Sequence, residues 1–467
     1  MNKTHQILAV AGGLLVTAAA GVTAHGQTAD ALIDKLVEKG ILTVKEGNDL
    51  RAETDQDFNK AYSIKTGLPD FVTGMAFNTD FRTRFEENNA ENPLYFARDR
   101  YRFRLRVGST VSLENKFEVG FRFASGNPQV NPGGTLVGGQ PITANQDMNS
   151  LESRKFLWID AAFARWTPVK NTDWTISATV GKMDSPFALS NMIFDYDIDP
   201  EGGAIQLAYN INSQHTLKMN NAFFVLDEIN QTAGVNSPVG ATSIGASHDP
   251  YVYGSQLLLE SKWTPKFDTT LGVAVFDISH KDALRASVQP FYNSGNTRDP
   301  ATFGLKYDFN PVIGSAAVIY RLATFPFYTG EFPLKISGEY MDNPAAPANN
   351  KAYRVGATIG KAGKKHTWEV NYRYQRLEAD AWFDALEDDD NGAYYAAGNP
   401  QLAGTGKASG WFGGTNVKGH LVQGVYSFTD YMNFTFTYYL NDLIINAPVT
   451  SGSSSASHFM ADVNWKF

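Results

Sequence analysis

Apolar residues occupy every second position over residues 459–467, at the end of this sequence. One face of the extended segment carries Phe459, Ala461, Val463, Trp465 and Phe467, and the other carries His458, Met460, Asp462, Asn464 and Lys466. Successive side chains of a β-strand point to opposite sides, so this segment is expected to be a strand with one apolar and one polar face. Such a strand suits a wall between lipid and water.

The same period of two recurs from about residue 73 onwards. Clear apolar runs lie at 117–123, 157–163, 217–225, 368–374 and 432–438. Short links alternate with long segments rich in Gly, Pro and Asn, the clearest at 126–153, 228–250, 279–300 and 379–416. This arrangement is typical of an all-β, transmembrane antiparallel β-barrel with short turns at one end and long loops at the other. We predict about 16 strands in residues 73–467, enough to enclose an aqueous channel.

Both ends of the sequence indicate export to a membrane. Residues 1–26 combine a charged start at Lys3, an apolar stretch from Ile7 to Val22 and small residues near Ala24, as in a cleaved signal peptide. The final strand, with Trp465 and Phe467 at its end, resembles the assembly signal of bacterial outer-membrane barrels. This resemblance implies a location in the bacterial outer membrane, reached through the periplasm. It also implies outer-membrane lipid and the barrel-assembly machinery as partners.

A segment of different character follows the signal peptide. Leu32, Ile33, Leu36 and Val37 recur at helical spacing, and Gly40 can end that helix. Residues 43–46 have the form of a capping box that opens a second helix. We therefore expect a short helical hairpin at 27–56 and a linker at 57–72. The hairpin is interpreted either as a periplasmic spacer or oligomer contact, or as a leader without a separate function.

Composition excludes several functional classes. The formal net charge is −8 at pH 7, which argues against general binding of nucleic acid, since such proteins favour a basic surface. Cysteine is absent, so neither a disulfide nor a thiolate metal site is expected. The eight histidines are scattered, and no hydrolase or metalloprotease motif is found. We therefore predict no catalytic residues, no metal and no cofactor, and do not expect an enzyme.

One predicted strand carries a row of arginines on a single face: Arg98, Arg100, Arg102, Arg104 and Arg106. Facing lipid, each would cost about 2–4 kcal/mol near the bilayer midplane, so the row must face water. Neighbours on that face are roughly 7 Å apart and repel by about 0.6 kcal/mol even in bulk water. The row therefore needs acidic partners or passing anions. Residues of the same parity on adjacent strands complete a basic wall, which we expect to line a pore: Arg82, Arg84 and Arg122.

An acidic loop follows the fifth predicted strand. It carries Asp195, Asp197, Asp199 and Glu201 and is the third long-side loop of the predicted barrel. Together with Gly181-Lys182, Pro186-Phe187 and the 200–202 segment, it resembles the putative-porin family of Gram-negative bacteria, which is related in pattern to phosphate-selective and general porins. In general porins the third loop folds inward and narrows the channel. The resemblance implies that these four acidic residues line a constriction opposite the basic wall.

The leading hypothesis is an outer-membrane porin that passes small hydrophilic solutes or ions by passive diffusion. A homotrimer is implied by the resemblance to general porins alone. The acidic loop departs from the usual phosphate-selective pattern, which favours basic loop residues. Alternatives are a substrate-specific anion or sugar channel, and a plugged structural or adhesive barrel. A soluble all-β protein would expose its outward aromatic rows to water, and such large patches are rare without a partner.

A second acidic run lies at Glu387, Asp388, Asp389 and Asp390. Its spacing does not match a calcium-binding EF-hand, because Glu387 stands where the first Asp belongs and Gly398 where the bidentate Glu belongs. We interpret the run as a solvated stretch of an outer loop, with a loosely bound divalent cation as the alternative.

Overall fold

The computed structural model describes residues 68–92, 95, 97–130, 136–140, 142–228, 249–284, 294–299, 304–395, 411–445 and 453–467. The signal peptide expected at 1–26 and the helical hairpin expected at 27–56 lie outside the described residues. The same applies to residues 57–67 of the expected linker. In the part of the chain that is described, no helix is long and apolar enough to cross a membrane.

Nearly all regular structure in the described residues is β. The strands are β1 (Val72–Ala90), β2 (Arg98–Leu113), β3 (Phe117–Ser125), β4 (Pro128–Val130), β5 (Leu136–Gly139), β6 (Gln146–Asp147), β7 (Leu157–Lys170), β8 (Trp174–Lys182), β9 (Glu201–Asn210), β10 (His215–Val225), β11 (Tyr251–Thr264), β12 (Phe267–Ile278), β13 (Val312–Leu322), β14 (Phe332–Asp342), β15 (Lys351–Gly360), β16 (Trp368–Leu377), β17 (Ala393–Tyr395), β18 (Trp411–Gly413), β19 (Val417–Ser427), β20 (Met432–Leu443) and β21 (Ala456–Lys466). Two short 3-10 turns occur at Glu114–Lys116 and Lys281–Ala283.

Sixteen of these strands form a closed antiparallel ring, which confirms the predicted strand count. The ring runs through β1, β2, β3, β7 to β16, β19, β20 and β21, and β21 pairs with β1 to close it. The other five strands belong to the connections: β4 pairs with β5, β17 pairs with β18, and β6 adds to β2 at Arg102 and Phe103. Closure leaves no unpaired sheet edge in the barrel wall.

The seam between β1 and β21 shows the predicted alternation directly. Phe81 lies opposite Trp465, with ring centroids 5.6 Å apart, on the outer surface. Arg84 lies opposite Asp462 on the inner surface, where both side chains are buried. The apolar face of the final strand is therefore outside and its polar face inside, as the sequence pattern predicts.

Long loops fold into the barrel and build an apolar core there. Met192 and Ile193 of the 183–200 loop and Trp382 of the 378–392 loop are completely buried. They pack with inward residues near the ends of β10 to β16, for example Phe276 and Met341. The indole nitrogen of Trp382 donates to the Ile193 carbonyl oxygen at 2.7 Å and so joins the two loops. Part of the interior is therefore filled by apolar side chains, which strand periodicity did not predict.

Two compact units divide the chain. The larger contains residues 76–110 and 116–467 and includes almost all of the ring. The smaller contains residues 1–75 and 111–115, and its described residues are the start of β1, the end of β2 and the adjoining turns. Within the smaller unit the Glu114 N–H donates to the Phe71 carbonyl oxygen at 2.9 Å.

Candidate functional site: the charged lumen

The basic wall lies on the inner face of β1, β2 and β3, and its arginines are neutralised in groups. At one end, Arg100 and Arg102 both bind the carboxylate of Glu86, which is fully buried; the contact from Arg102 is 3.0 Å. The carboxylate of Asp147 in β6 forms ion pairs with the guanidinium groups of Arg102, at an N···O distance of 2.9 Å, and of Arg98, at 3.2 Å. Three guanidinium groups are therefore paired with two carboxylates here. Glu86 belongs to barrel strand β1, and Asp147 belongs to a connection between barrel strands.

The middle of the wall meets the acidic loop. Arg104 contacts Asp80 of β1 at 3.0 Å and Asp197 of the loop at 3.6 Å. Arg106 contacts the same Asp197 at 2.9 Å and Asp160 of β7 at 3.3 Å. Burial raises the pKa of Asp197, but Arg106 and Arg104 outweigh burial and hold that pKa below its usual range. Asp197 therefore stays ionised and ties the loop to the wall.

Arg122 has an excess of acidic partners. It binds Asp160, and it contacts Asp184 at 2.9 Å and Asp199 at 2.6 Å. One guanidinium cannot balance three carboxylates. Burial raises the pKa of Asp199 to about 7 despite Arg122, because Asp160 and a hydrogen bond with Asp184 oppose its ionisation. This end of the wall therefore carries a negative excess that protonation can relieve.

The remaining two basic residues lie on β1 at the seam. Arg84 binds Asp462 through two hydrogen bonds of 2.7 and 2.9 Å. Arg82 donates to the amide oxygen of Asn145 at 2.6 Å and lies 3.9 Å from Asp462. All eight arginines of the predicted basic wall thus have a carboxylate within 4.0 Å. The wall is a network of ion pairs and not a row of free cations.

The structure brings only part of the acidic loop to this wall. Asp197 and Asp199 reach it, whereas Asp195 turns away towards the second acidic run. Glu201 is the first residue of β9, is largely exposed and pairs with Lys182 at 3.3 Å, so it does not oppose the arginines as we expected. The loop also crosses to the opposite wall: the Ala188 N–H donates to Gln256 of β11 at 2.9 Å.

The second acidic run is buried at Glu387 and Asp388 and half-buried at Asp389 and Asp390, which makes our interpretation of it as a solvated stretch wrong. Glu387 and Asp388 are each only 3% exposed. Carboxylate oxygens of Asp195, Asp388 and Asp389 lie within 4.8 Å of one another. Burial, followed by repulsion between neighbouring carboxylates, raises the pKa of Glu387 and of Asp389 well above the usual range. Charge repulsion that water screens in an exposed loop persists in this enclosed position.

The basic residues beside this run are two arginines on the wall formed by β15 and β16, which we did not predict from the sequence. Arg373 of β16 contacts Asp388 at 3.0 Å, and Arg354 of β15 lies beside it. Both guanidinium groups donate to the side-chain oxygen of Asn191, at 2.6 Å from Arg354 and 2.9 Å from Arg373. A signal was available, since Arg373 alternates with the outward Tyr372 and Tyr374. A second basic patch could therefore have been predicted on that wall.

These groups enclose a polar cavity of about 370 Å³, called here the lumen cavity. Its basic lining residues are Arg82, Arg84, Arg104, Arg354 and Arg373. Its acidic lining residues are Asp195, Asp197, Asp388, Asp389, Asp390 and Asp462. Amide and hydroxyl groups, including Asn145, Gln423 and Thr437, complete the surface. The arrangement can hold or orient a small hydrophilic solute between opposite charges.

Comparison of the chain with models of known protein families identifies its family. A family model described as "Putative porin" matches residues 69–304, about half of the chain. The chain belongs to this family. It is a porin-type channel, and both the family and the fold point to a channel and not an enzyme.

Solved structures similar to this porin are themselves porins. They include a mutant of Rh. blastica porin, at 10% identity and a TM-score of 0.39, covering 84% of this chain and 100% of that one. Pseudomonas putida OprB has 10% identity and a TM-score of 0.47, covering 87% and 97%. Salmonella typhi OmpF in complex with daunomycin has 9% identity and a TM-score of 0.43, covering 84% and 97%. No curated protein matches the chain.

Proposed function

We propose that this porin allows passive diffusion of small hydrophilic solutes and ions through a charged constriction. The observation that carries the proposal is the contact between the inward-folded 183–200 loop and the basic wall, at Asp197 with Arg106 and Asp199 with Arg122. A loop held across the interior reduces the cross-section, and fixed charges of both signs orient polar solutes. The loop sets the size of solute that can pass, and the balance between acidic charges of the loop and basic charges of the wall sets the ion preference.

We further propose the bacterial outer membrane as the location. The outer face of the barrel carries exposed aromatic and aliphatic residues, among them Phe77, Tyr101 and Ile159. Such a surface is stable in contact with outer-membrane lipid and unstable in water. Delivery requires the barrel-assembly machinery, and assembly into a homotrimer is part of the same proposal. Detergent extraction from a washed envelope fraction tests the location; release by salt alone would contradict it.

A plugged structural or adhesive barrel is the second candidate. It is favoured by the apolar core inside the barrel, in which Met192, Ile193 and Trp382 are completely buried. If that core and the ion-paired loops close every path, the barrel conducts nothing and its loops are the functional surface.

Single-channel recording of the purified protein in a planar bilayer under a KCl gradient separates the two candidates. The porin proposal predicts discrete, reproducible conductance steps, and the reversal potential then gives the sign of ion selectivity. Protein that is folded, as judged by circular dichroism and heat-modifiable mobility, yet repeatedly silent would reject the porin proposal and support the plugged barrel.

The role of the basic wall is tested by replacing Arg100, Arg102 and Arg104 with Ser. The replacement leaves Glu86 and Asp80 without their arginine partners, so the interior gains net negative charge. We expect the reversal potential to shift towards cation selectivity. Arg154→Ser is the control, because it removes one positive charge from an exposed loop residue. An unchanged reversal potential in the folded triple variant would rule out a dominant role for the wall.

A further inference from the structure

The lumen cavity contains a guanidinium group without an acidic partner. Arg354 has no carboxylate within 4.0 Å among the described residues, unlike every arginine of the basic wall. Its side chain lines the cavity and donates to the oxygen of Asn191 at 2.6 Å. Arg373 beside it has a single carboxylate, Asp388. Glu339 lies opposite Arg354 on β14 but accepts hydrogen bonds from Ser190 and does not line the cavity. Among the cavity-lining residues, this wall therefore holds two guanidinium groups against one carboxylate, Asp388.

The same cavity contains carboxylates without basic partners. Asp389 lines it and makes no ion pair or side-chain hydrogen bond with any described residue. Asp195 is 8% exposed, and within the described part of the chain its side chain accepts only the backbone N–H of Asp197, at 2.6 Å. Oxygens of both lie within 4.8 Å of each other and of Asp388. Among the described carboxylates, Arg373 pairs with Asp388 alone, so Asp195 and Asp389 need a positive charge from outside the protein or must take up protons.

Asn191 places the two unmatched sets side by side. Its side-chain oxygen accepts from Arg354 and Arg373, while its side-chain nitrogen donates to Asp388. The side-chain amide of Asn191 therefore lies between the guanidinium group of Arg354 and the carboxylate of Asp388, which belongs to the acidic cluster. A ligand that satisfies both must carry a negative and a positive group a few bonds apart.

We propose that the lumen cavity is a binding site for small zwitterions, with an α-amino acid as the simplest member of the class. The ligand carboxylate binds Arg354, and the ligand ammonium lies among Asp195 and Asp389. The volume of about 370 Å³ falls within the roughly 300–1,000 Å³ typical of small-molecule sites. This inference rests on the proposed diffusion channel, whose constriction contains the cavity, and names a solute class for it.

The test measures block of ionic current by added solute in planar bilayers at neutral pH. L-alanine is compared with alaninamide, which keeps only the positive group, and with lactate, which keeps only the negative group. We expect saturable block by L-alanine at concentrations at least about tenfold below those needed for either analogue, because each lost charged contact weakens binding by about that factor. Arg354→Gln should weaken the L-alanine block by about tenfold or more.

A matched control distinguishes a specific contact from a general change of charge. Arg321→Gln also removes one inward arginine, but Arg321 pairs with Asp268 and lies outside the lining of the cavity. Its L-alanine block should equal that of the unmodified protein. An equal loss of block in both variants would contradict the assignment of Arg354.

Each other outcome also decides the question. Equal block by L-alanine and alaninamide would overturn the proposal in favour of a cation site, and equal block by lactate in favour of an anion site. Normal conductance without block by any of the three overturns the zwitterion site and leaves the channel intact. If the protein conducts nothing, the channel proposal fails on its own. Isothermal titration of detergent-solubilised protein with L-alanine then decides whether the site exists, since binding supports it and its absence overturns it.

Discussion

At the scale of single residues, this porin is dominated by charges that are removed from bulk water and then paired. Arg84 and Asp462 are the clearest example, since both are buried and joined by two hydrogen bonds of 2.7 and 2.9 Å. A buried ion pair gains little over two well-packed apolar side chains, whereas one buried charge left alone is costly. The net contribution of the pair to stability is therefore small, but removing one of its two partners should lower the free energy of unfolding strongly.

We predict that Arg84→Met lowers the free energy of unfolding by about 3–5 kcal/mol, because Asp462 loses its bidentate partner. The measurement is urea unfolding in lipid vesicles followed by tryptophan fluorescence. The double replacement Arg84→Met with Asp462→Leu should recover part of that loss, because it removes the unpaired carboxylate but also takes away the carboxylate 3.9 Å from Arg82. If the double variant is as unstable as the single one, packing and not charge sets the stability of this site.

A pH dependence follows from Asp199. A carboxyl group whose pKa is raised to about 7 is neutral below that pH and negative above it. The groups that face it are Arg122, Asp160 and Asp184, with Lys182 donating to its backbone carbonyl at 2.7 Å. Lowering the pH from 8 to 6 therefore removes negative charge beside Arg122 and should shift the reversal potential towards anions. Asp199→Asn should show a smaller shift; an identical shift would assign the effect to other groups.

At the scale of elements, strands were predictable and loops were not. Lipid on one side and water on the other impose a period of two, and the cost of an arginine in lipid fixed which face of β2 is inside. Loops have no such constraint. The acidic run at Glu387–Asp390 lies far in sequence from Asp195, and only closure of the ring brings them together. Local sequence placed the arginines of β2 on one face and named Asp197 and Asp199 among the acidic residues opposite them. It did not predict Glu86 or Asp147 as partners, nor the inward fold of the 378–392 loop. The pore-lining role of the basic wall stays a prediction.

Trp382 is the residue whose loss should most clearly release the inward loops. It is completely buried and donates to the Ile193 carbonyl oxygen at 2.7 Å. Trp382→Ala should cost about 3–5 kcal/mol in loop packing and raise both single-channel conductance and open-channel current noise. Trp382→Phe keeps most of the packing and removes only the hydrogen bond, so its conductance should change less. Equal conductance in all three proteins would mean that these loops do not limit the current.

At the scale of the whole molecule, the ring closes by pairing β21 with β1. Thr79 and Phe467 exchange two backbone hydrogen bonds of 2.9 and 3.0 Å, while the Phe467 side chain is 78% exposed. The strand count was predictable because each membrane crossing repeats one pattern. The contribution of Trp465 and Phe467 to assembly stays a prediction, since a folded barrel does not reveal how it was inserted.

We predict that Phe467→Ser lowers the amount of folded protein in the outer membrane of expressing cells several-fold. Its exposed side chain makes little contribution to the folded barrel, so protein refolded in vitro should unfold at the same urea concentration as the original. Heat-modifiable mobility of envelope fractions gives the folded amount. An equal loss of stability in vitro would assign the effect to the barrel itself and not to recognition during assembly.

The pairing of every arginine in the basic wall has a consequence for how this channel can evolve. In the proposed channel, the electric field that acts on a permeating ion would be the small remainder left after large opposing charges cancel. A remainder of this kind changes sign easily, so one exchanged residue among the lining carboxylates can convert a preference for anions into one for cations while the barrel stays unaltered. The net charge counted over a whole sequence is therefore a poor guide to the ion preference of such a lumen.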